Sequence, residues 1–433
     1  MTTASSALKQ RQYWGDTVAM PAPDSPPLPP RVDVAVVGGG ITGLCAARAL
    51  GRRGVSVAVL EARTMGWGAS SRNGGMVLTG LKLGAQTLFA RYGRDLGRQL
   101  FKASVDAIDL VENLVRAEGI DCHFTRSGHL SLAAKRAHYG HFGAAADFLA
   151  REFAHPVRLV PRAVLHDEIG SSVYHGGLVD EASAGINPAQ YVAGLARAAR
   201  GAGATLHENS RVGRLERHGP RWIVGTERGK LDAAEILIAT SGYTGAVTPA
   251  LRRKLLPIGS YVIATERLPE PLALELSPRG RMMYDSRHFL HYFRLTPDRR
   301  MLFGGRARFV PETELTVRES AEVLRQGMIK VYPQLRDTRV EYAWGGTLDF
   351  AFDTMPHVGQ LDGYSYALGY AGHGVALASY LGTRLGEALG TDAAHANPFA
   401  QLPFPGAPLG LHAGEAWFLR LAAAWYKFLD CVG

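Results

Sequence analysis

The feature that most constrains this chain is a glycine turn, Gly38-Gly39-Gly40-Ile41-Thr42-Gly43, set between an apolar run at 32–37 and a helical pattern at 41–53. A run that is apolar throughout suits a strand of a parallel sheet buried on both faces. Gly54 ends the helix, and 55–60 reads as a second strand closed by Glu61, 18 residues beyond Gly43. Gly38 permits the tight turn, Gly40 lets a pyrophosphate approach the backbone, and Gly43 with Ala47 lets the helix lie close to the sheet. The helix start offers unpaired N–H groups and the positive end of its dipole to an anion. A carboxylate ending the second strand can accept from ribose hydroxyls, and it disfavours the 2′-phosphate of NADP. Strand, turn, helix, strand and acid together predict a dinucleotide site on a βαβ unit.

The next segment, Ala62-Arg63-Thr64-Met65-Gly66-Trp67-Gly68-Ala69-Ser70-Ser71-Arg72-Asn73-Gly74-Gly75, is rich in glycine and small residues. Such a backbone can lie along a long cofactor; the plainer alternative is a surface loop. Far along the chain, Gly369-Tyr370-Ala371-Gly372-His373-Gly374-Val375 repeats the order strand, glycine turn, helix. A helix start there could stabilise the negative N1–C2=O locus of a reduced flavin, or it could be a packing turn. No second GxGxxG is present, so a separate nicotinamide domain is not expected and the substrate itself would supply reducing equivalents.

Between these motifs, 95–155 reads mostly as helices, 177–187 as a strand and 188–201 as a helix, with strands at 205–212, 222–226, 230–232 and 235–239. From 258 to 309 the pattern changes to alternation broken by turns such as Pro297-Asp298, which predicts an antiparallel sheet. A helix follows at 316–332, a strand at 366–370 and a closing helix at 374–390. Six prolines make residues 1–31 a stiff, non-helical arm whose Tyr13-Trp14 pair is expected to dock on the body. The net charge of +9 is scattered, as at Arg252-Arg253-Lys254, which argues for a solvated surface rather than a nucleic-acid face. Cys45, Cys122 and Cys431 are far apart and suggest neither a metal site nor a disulfide framework. With no apolar signal core and no run near the roughly 20 apolar residues of a membrane span, a cytoplasmic protein is expected. Trp417, Phe418, Leu421, Trp425 and Phe428 have helical spacing; they suit a helix packed on the body or a peripheral membrane contact.

These residues resemble the D-amino-acid-oxidase-like FAD-dependent oxidoreductases, and within them the gamma-glutamylputrescine-oxidase-like amine oxidases. The resemblance runs through Gln12-Tyr13-Trp14, the Gly38–Gly43 turn with Glu61, Gly66 to Ser70, Arg72 to Gly75, 177–188, Pro257 to Tyr261, Trp344-Gly345-Gly346, Gly369 to Val375, and 417–430. It implies an α/β fold: a Rossmann-like FAD domain (32–90, 156–250 and 340–400) and a discontinuous antiparallel-sheet substrate domain (91–155 and 251–339). The Pro-rich arm is 1–31 and the C-terminal extension 401–433. The FAD-binding set that it implies is Gly38, Gly40, Ile41, Thr42, Gly43, Glu61, Ala62, Arg63, Gly68, Ala69, Ser70, Arg72, Asn73, Gly74, Gly75, Met76, Val212, Thr240, Gly242, Gly372, His373, Gly374 and Val375. Relatives that attach flavin covalently use Cys or His; 68–76 holds neither, so non-covalent FAD is expected. Related oxidases use a lysine to activate oxygen, whereas the matching strand, Arg300 to Arg306, has none.

The implied reaction is oxidation of the C–N bond of a small amine by hydride transfer to flavin N5. The resulting imine hydrolyses to an aldehyde or keto acid, and O2 becomes H2O2. Catalytic candidates are Tyr261, His291, Tyr292 and Trp344 as an aromatic cage, each of which reads more readily as a packed core aromatic, His373 in the glycine turn, and Arg306 as a cation; Arg306 and Arg294 could bind a substrate carboxylate but read more readily as exposed ion pairs. Two other readings stay open: a dehydrogenase passing electrons to a quinone or protein acceptor, and a flavin-binding protein without turnover.

Overall fold

The structure, a computed structural model, describes residues 8–18, 26–287, 289–305, 313–390 and 397–407. Two mixed eight-stranded sheets organise it. The first is built on Arg31–Val37, flanked in parallel by Val57–Leu60 and by Gly229–Ile238. Thr205–His207 extends it on one side; Tyr364–Leu368 and His357–Leu361 extend it on the other. The sequence reading splits 230–239 into two strands. They are one continuous strand, Gly229–Ile238, that pairs with Arg221–Thr226 at its start and with Arg31–Val37 along its length.

Helix Ile41–Arg52 packs on this sheet between Pro188–Gly201 and Gly374–Ala388. Small residues set the spacing. A Cβ on Gly43 would overlap the carbonyl oxygen of Gly38, and Cβ atoms on Gly382 and Gly386 would overlap the carbonyl oxygens of Thr42 and Ala46. Glycine at these three positions lets backbone meet backbone, with Leu44, Leu50, Val36, Val59 and Leu381 closing the core around the contact.

The second sheet runs in the order Val340–Ala351, Leu255–Thr265, Met301–Gly305, His291–Leu295, Met282–Asp285, His129–Leu132, Gly176–Asp180, Arg158–Pro161. Three of its strands, Arg158–Pro161 among them, come from segments that the sequence reading gives to the FAD domain. Val340–Ala351 pairs with the whole of Leu255–Thr265, and Gly176–Asp180 pairs with His129–Leu132. The boundaries at 156 and 340 therefore move. Local alternation marks a strand but not the sheet that it joins, which long-range pairing decides. Helix Glu314–Val331 covers the outer face of this sheet.

The arm docks as expected, but its middle is not extended: Tyr13–Thr17 is a 3₁₀ turn. Trp14 is fully buried, and its Nε1 donates to the Asn73 carbonyl oxygen at 2.9 Å. Tyr13 donates its hydroxyl proton to Asp298 at 2.5 Å, while Lys9 bridges to Tyr342 on the edge of the second sheet. The arm thus spans from the second sheet to the 66–76 loop. The segment 417–428, Cys431 and Arg306 lie outside the described residues, as do 19–25. Trp14→Ala should cost about 3–5 kcal/mol, the usual range for deleting a buried large aromatic. Urea unfolding followed by circular dichroism would measure it.

Candidate active site

A cavity of about 760 Å³ runs from the carboxyl ends of the central strands of the first sheet to the inner face of the second. That is within the usual cofactor-pocket range of about 300–1,000 Å³. One end is the glycine turn. Gly38 has φ +111°, and a Cβ there would stand 2.6 Å from the Ala239 carbonyl oxygen, so the turn admits no side chain. Glu61 is fixed beside it, accepting from the Gly39 N–H at 2.8 Å and the Arg63 N–H at 2.9 Å. Burial raises its carboxyl pKa, and the backbone donors oppose that shift. The remaining lone pairs can take ribose hydroxyls. The first N–H groups of helix Ile41–Arg52 have no carbonyl within the helix; Ser70 Oγ takes that of Ile41 at 3.0 Å.

The loop after Glu61 is held to the cavity wall from several sides. Arg72 donates to the carbonyls of Trp67 and Gly345 at 2.9 and 3.0 Å and lies over the Trp67 ring. Trp344 Nε1 donates to the Arg72 carbonyl at 2.8 Å. Asn73 accepts from the Gly75 N–H and donates to the carbonyls of Ala69 and Ser70. Buried Asp349 accepts from the N–H groups of Gly369 and Tyr370, bracing the second glycine turn. That turn starts helix Gly374–Ala388, whose N-terminus also faces the cavity.

The lining contains Gly38, Gly40, Ile41, Thr42, Glu61, Ala62, Arg63, Gly68, Ala69, Ser70, Arg72, Asn73, Gly74, Met76, Val212, Thr240, Gly372, His373, Gly374 and Val375. Gly43, Gly75 and Gly242 do not line it. They sit just behind, where a Cβ would meet the backbone of Gly38, Ile186 and Thr347 respectively. Of the catalytic candidates, Tyr292 and His373 line the cavity. Tyr292 lies flat on Gly304, with its hydroxyl 3.3 Å from Ser260 Oγ. His373 Nδ1 has no hydrogen-bond partner among the described residues, and burial, with the Lys82 charge adding to it, pushes the ring pKa down to about 4. The imidazole is therefore neutral near pH 7 and can donate or accept.

Three candidates do not reach the cavity: Tyr261 and His291 because side chains alternate along a strand, and Trp344 because it lies beyond the cavity's end on the face that carries Gly346 and Leu348. On Leu255–Thr265, Ser260 and Val262 face inward, while Tyr261 and Ile263 enter the outer core. On His291–Leu295, Tyr292 faces inward and His291 packs outward on Phe303, 3.3 Å from Arg287 Nη1. Trp344 is buried with Tyr13, Trp14 and Tyr342, and it touches the site only through its bond to Arg72. Arg294 is neither a carboxylate binder nor an exposed ion pair. Buried, it donates to the carbonyls of Gly75 and Ile186 at 2.9 and 3.0 Å, tying the loop to the second sheet.

Sequence reasoning missed Lys82, Tyr284, Leu290, Ser260 and Val262, all of which line the cavity. The apolar run Met282-Met283-Tyr284 after the Arg279-Gly280 turn is a strand signal that could have found Tyr284. Lys82 sits in a loop without pattern. The strand Met301–Gly305 carries no lysine, but the cavity has a lysine from elsewhere in the chain.

A glycine cradle, two helix starts and a buried imidazole nitrogen unpartnered among the described residues fit a flavin dinucleotide. The FAD dependent oxidoreductase (DAO) family model matches residues 33–388, so the chain belongs to that family of FAD-dependent enzymes. It is 32% identical over 433 residues to a probable oxidoreductase, OrdL, of Rhizobium meliloti, covering 99% of each chain. It is also 32% identical over 409 residues to the gamma-glutamylputrescine oxidoreductase of Escherichia coli, covering 93% of each. The crystal structure of glycine oxidase from Geobacillus kaustophilus shares the fold, with a TM-score of 0.72 at 22% identity over 87% of this chain and 100% of that one.

Gly38→Ala should fold, because the strain is confined to one turn, yet purify with little flavin. Absorbance near the flavin bands, set against far-ultraviolet circular dichroism, checks both outcomes.

Proposed function

We propose that this enzyme oxidises the C–N bond of a small amine of the gamma-glutamylputrescine type, passes the electrons to O2, and holds its FAD non-covalently. The carrying observation is that one cavity joins the dinucleotide cradle to an end walled by Tyr284, Tyr292, Leu290, Lys82 and His373. Similarity to the gamma-glutamylputrescine oxidoreductase over almost the whole chain supports the substrate class.

When bound, FAD supplies the two-electron acceptor at its ring. Gly38, Gly40, Glu61, Ser70 and the helix start at Ile41 would hold its dinucleotide part; Gly372 to Val375 would meet its ring end. The chain's own part in the chemistry is positioning and desolvation. An aromatic and aliphatic wall disfavours the ammonium form of an amine, and only the neutral amine has the lone pair that oxidation needs. Tyr292, braced by Ser260 and Gly304, limits how the substrate carbon can lie. Lys82 places a cation where a substrate carboxylate can pair with it. The stretch 68–76, which holds neither Cys nor His, supports non-covalent binding. Cys45 and Cys122 are buried free thiols, which suits work in a reducing cytoplasm. Among the described residues no helix is long and apolar enough to cross a membrane.

An anaerobic cuvette tests this reading. Gamma-glutamylputrescine or a related polyamine should bleach the flavin, and the same mixture under air should yield peroxide in proportion to amine consumed. Bleaching by D-amino acids alone would end the substrate assignment, and bleaching without peroxide would end the oxidase assignment. Lys82→Met should raise KM for the carboxylate-bearing substrate by about tenfold, the value of one charged pair, while leaving that for plain putrescine within about twofold.

A further inference from the structure

The substrate-facing wall continues into a line of buried polar groups that neither the cofactor nor the positioning argument uses. Tyr284 lines the cavity and stacks on His129, with its hydroxyl 3.3 Å from His129 Nε2. His129 Nδ1 lies 2.8 Å from Ser183 Oγ. Ser183 donates to Thr79 Oγ1 at 3.4 Å, and Thr79 donates to Asp180 Oδ2 at 2.6 Å. His155 Nε2 meets the same carboxylate oxygen at 2.8 Å, and its side chain is 11% exposed. His129, Ser183, Thr79 and Asp180 are all buried.

The polarity of the line follows from its ends. The Asp180 carboxylate can only accept, so Thr79 donates to it and must accept from Ser183. Ser183 Oγ also receives the Thr79 backbone N–H at 3.0 Å. It has given its own proton to Thr79, so it accepts from His129, which fixes the tautomer with hydrogen on Nδ1. Nε2 is then a bare acceptor facing the Tyr284 hydroxyl. Burial opposes the charge on Asp180, but the bonds from His155 and the Thr79 hydroxyl outweigh it and hold the carboxyl down to about 2. Burial likewise lowers the pKa of His129, against the pull of Asp180 and with His155 and Arg281 adding to the lowering. His129 is thus neutral at rest, with a permanent negative charge two hydroxyls away. Of the other titratable groups nearby, Arg281 is committed to Glu168 and Glu181, while Lys82 and the neutral His373 line the same cavity.

We propose that Tyr284 and His129 take the proton that an incoming ammonium substrate must lose, with Asp180 as the positioning residue that balances the charge through Ser183 and Thr79. This inference rests on the amine reading. One substrate N–H bond breaks and leaves its electron pair on nitrogen. The proton forms an O–H bond on Tyr284 as the original Tyr284 O–H proton passes to His129 Nε2. No electrons leave the substrate in this step, and no other reactant is needed. Tyr284 is the catalytic residue of the line.

The test uses the holoenzyme and the polyamine that bleaches the wild type fastest, in an anaerobic stopped-flow instrument across pH. His129→Asn, Asp180→Asn and Thr79→Val should each slow flavin bleaching at neutral pH by at least about a hundredfold, the lower side of general-base effects. The gap should close above the amine's own pKa, about 10, where substrate arrives already deprotonated. Thr79→Val removes no ionisable group and little volume, so it keeps the test alive if the His129 variant does not fold. Variants that match the wild type throughout, or that are slowed equally at every pH, would overturn the proposal. Imidazole ¹⁵N spectra of the wild type, assigned by the loss of one ring in His129→Asn, give a readout that needs no turnover. A proton on Nδ1 and none on Nε2 is required; the opposite tautomer rejects the line whatever the substrate. If no amine bleaches the wild type, the amine reading fails and the tautomer alone decides the network.

Discussion

The structure depends on backbone meeting backbone at the start of one helix. Gly43 rests on the Gly38 carbonyl, and Gly382 and Gly386 rest on the same helix from the other side. A methyl group at any of the three would push Ile41–Arg52 off its neighbours and move its N-terminus away from the cavity. The position of that helix start fixes where a pyrophosphate can sit, and with it where Glu61 and the second glycine turn must stand.

The loop from Gly66 to Met76 is the second constraint. It has almost no regular structure of its own, only the single turn Ala69–Arg72 and the two-residue strand Met76–Val77. Its shape is imposed by donors from outside: Trp14, Arg294 and Trp344 each bond to one of its carbonyls. All three donors are buried. A carbonyl left without its donor in such surroundings costs about 1–3 kcal/mol. The arm, the second sheet and the loop thus depend on one another.

Much of this was legible in the sequence because it is local. The βαβ unit, the helix at 188–201 and the closing helix at 374 follow from turn chemistry and periodicity, and most of the glycine-rich segments do line the cavity. What was not legible is parity and partnership. Tyr261 and His291 are one residue out of phase with the cavity, and no pattern within a strand says which of its two faces meets a ligand. Arg294 reads as a surface cation, because the carbonyls that it satisfies belong to Gly75 and Ile186, over a hundred positions away. Val340–Ala351 reads with the residues that follow it until its pairing with Leu255–Thr265 is seen.

The cavity takes its walls from both sheets, which couples occupancy to cohesion. A ligand that bridges them and binds only the folded chain adds RT ln(1 + [L]/Kd) to stability, about 2.7 kcal/mol at a hundredfold excess over Kd. Resistance to heat and proteases is then partly a property of cofactor supply. Chains made faster than flavin is available would be the ones that a cell degrades.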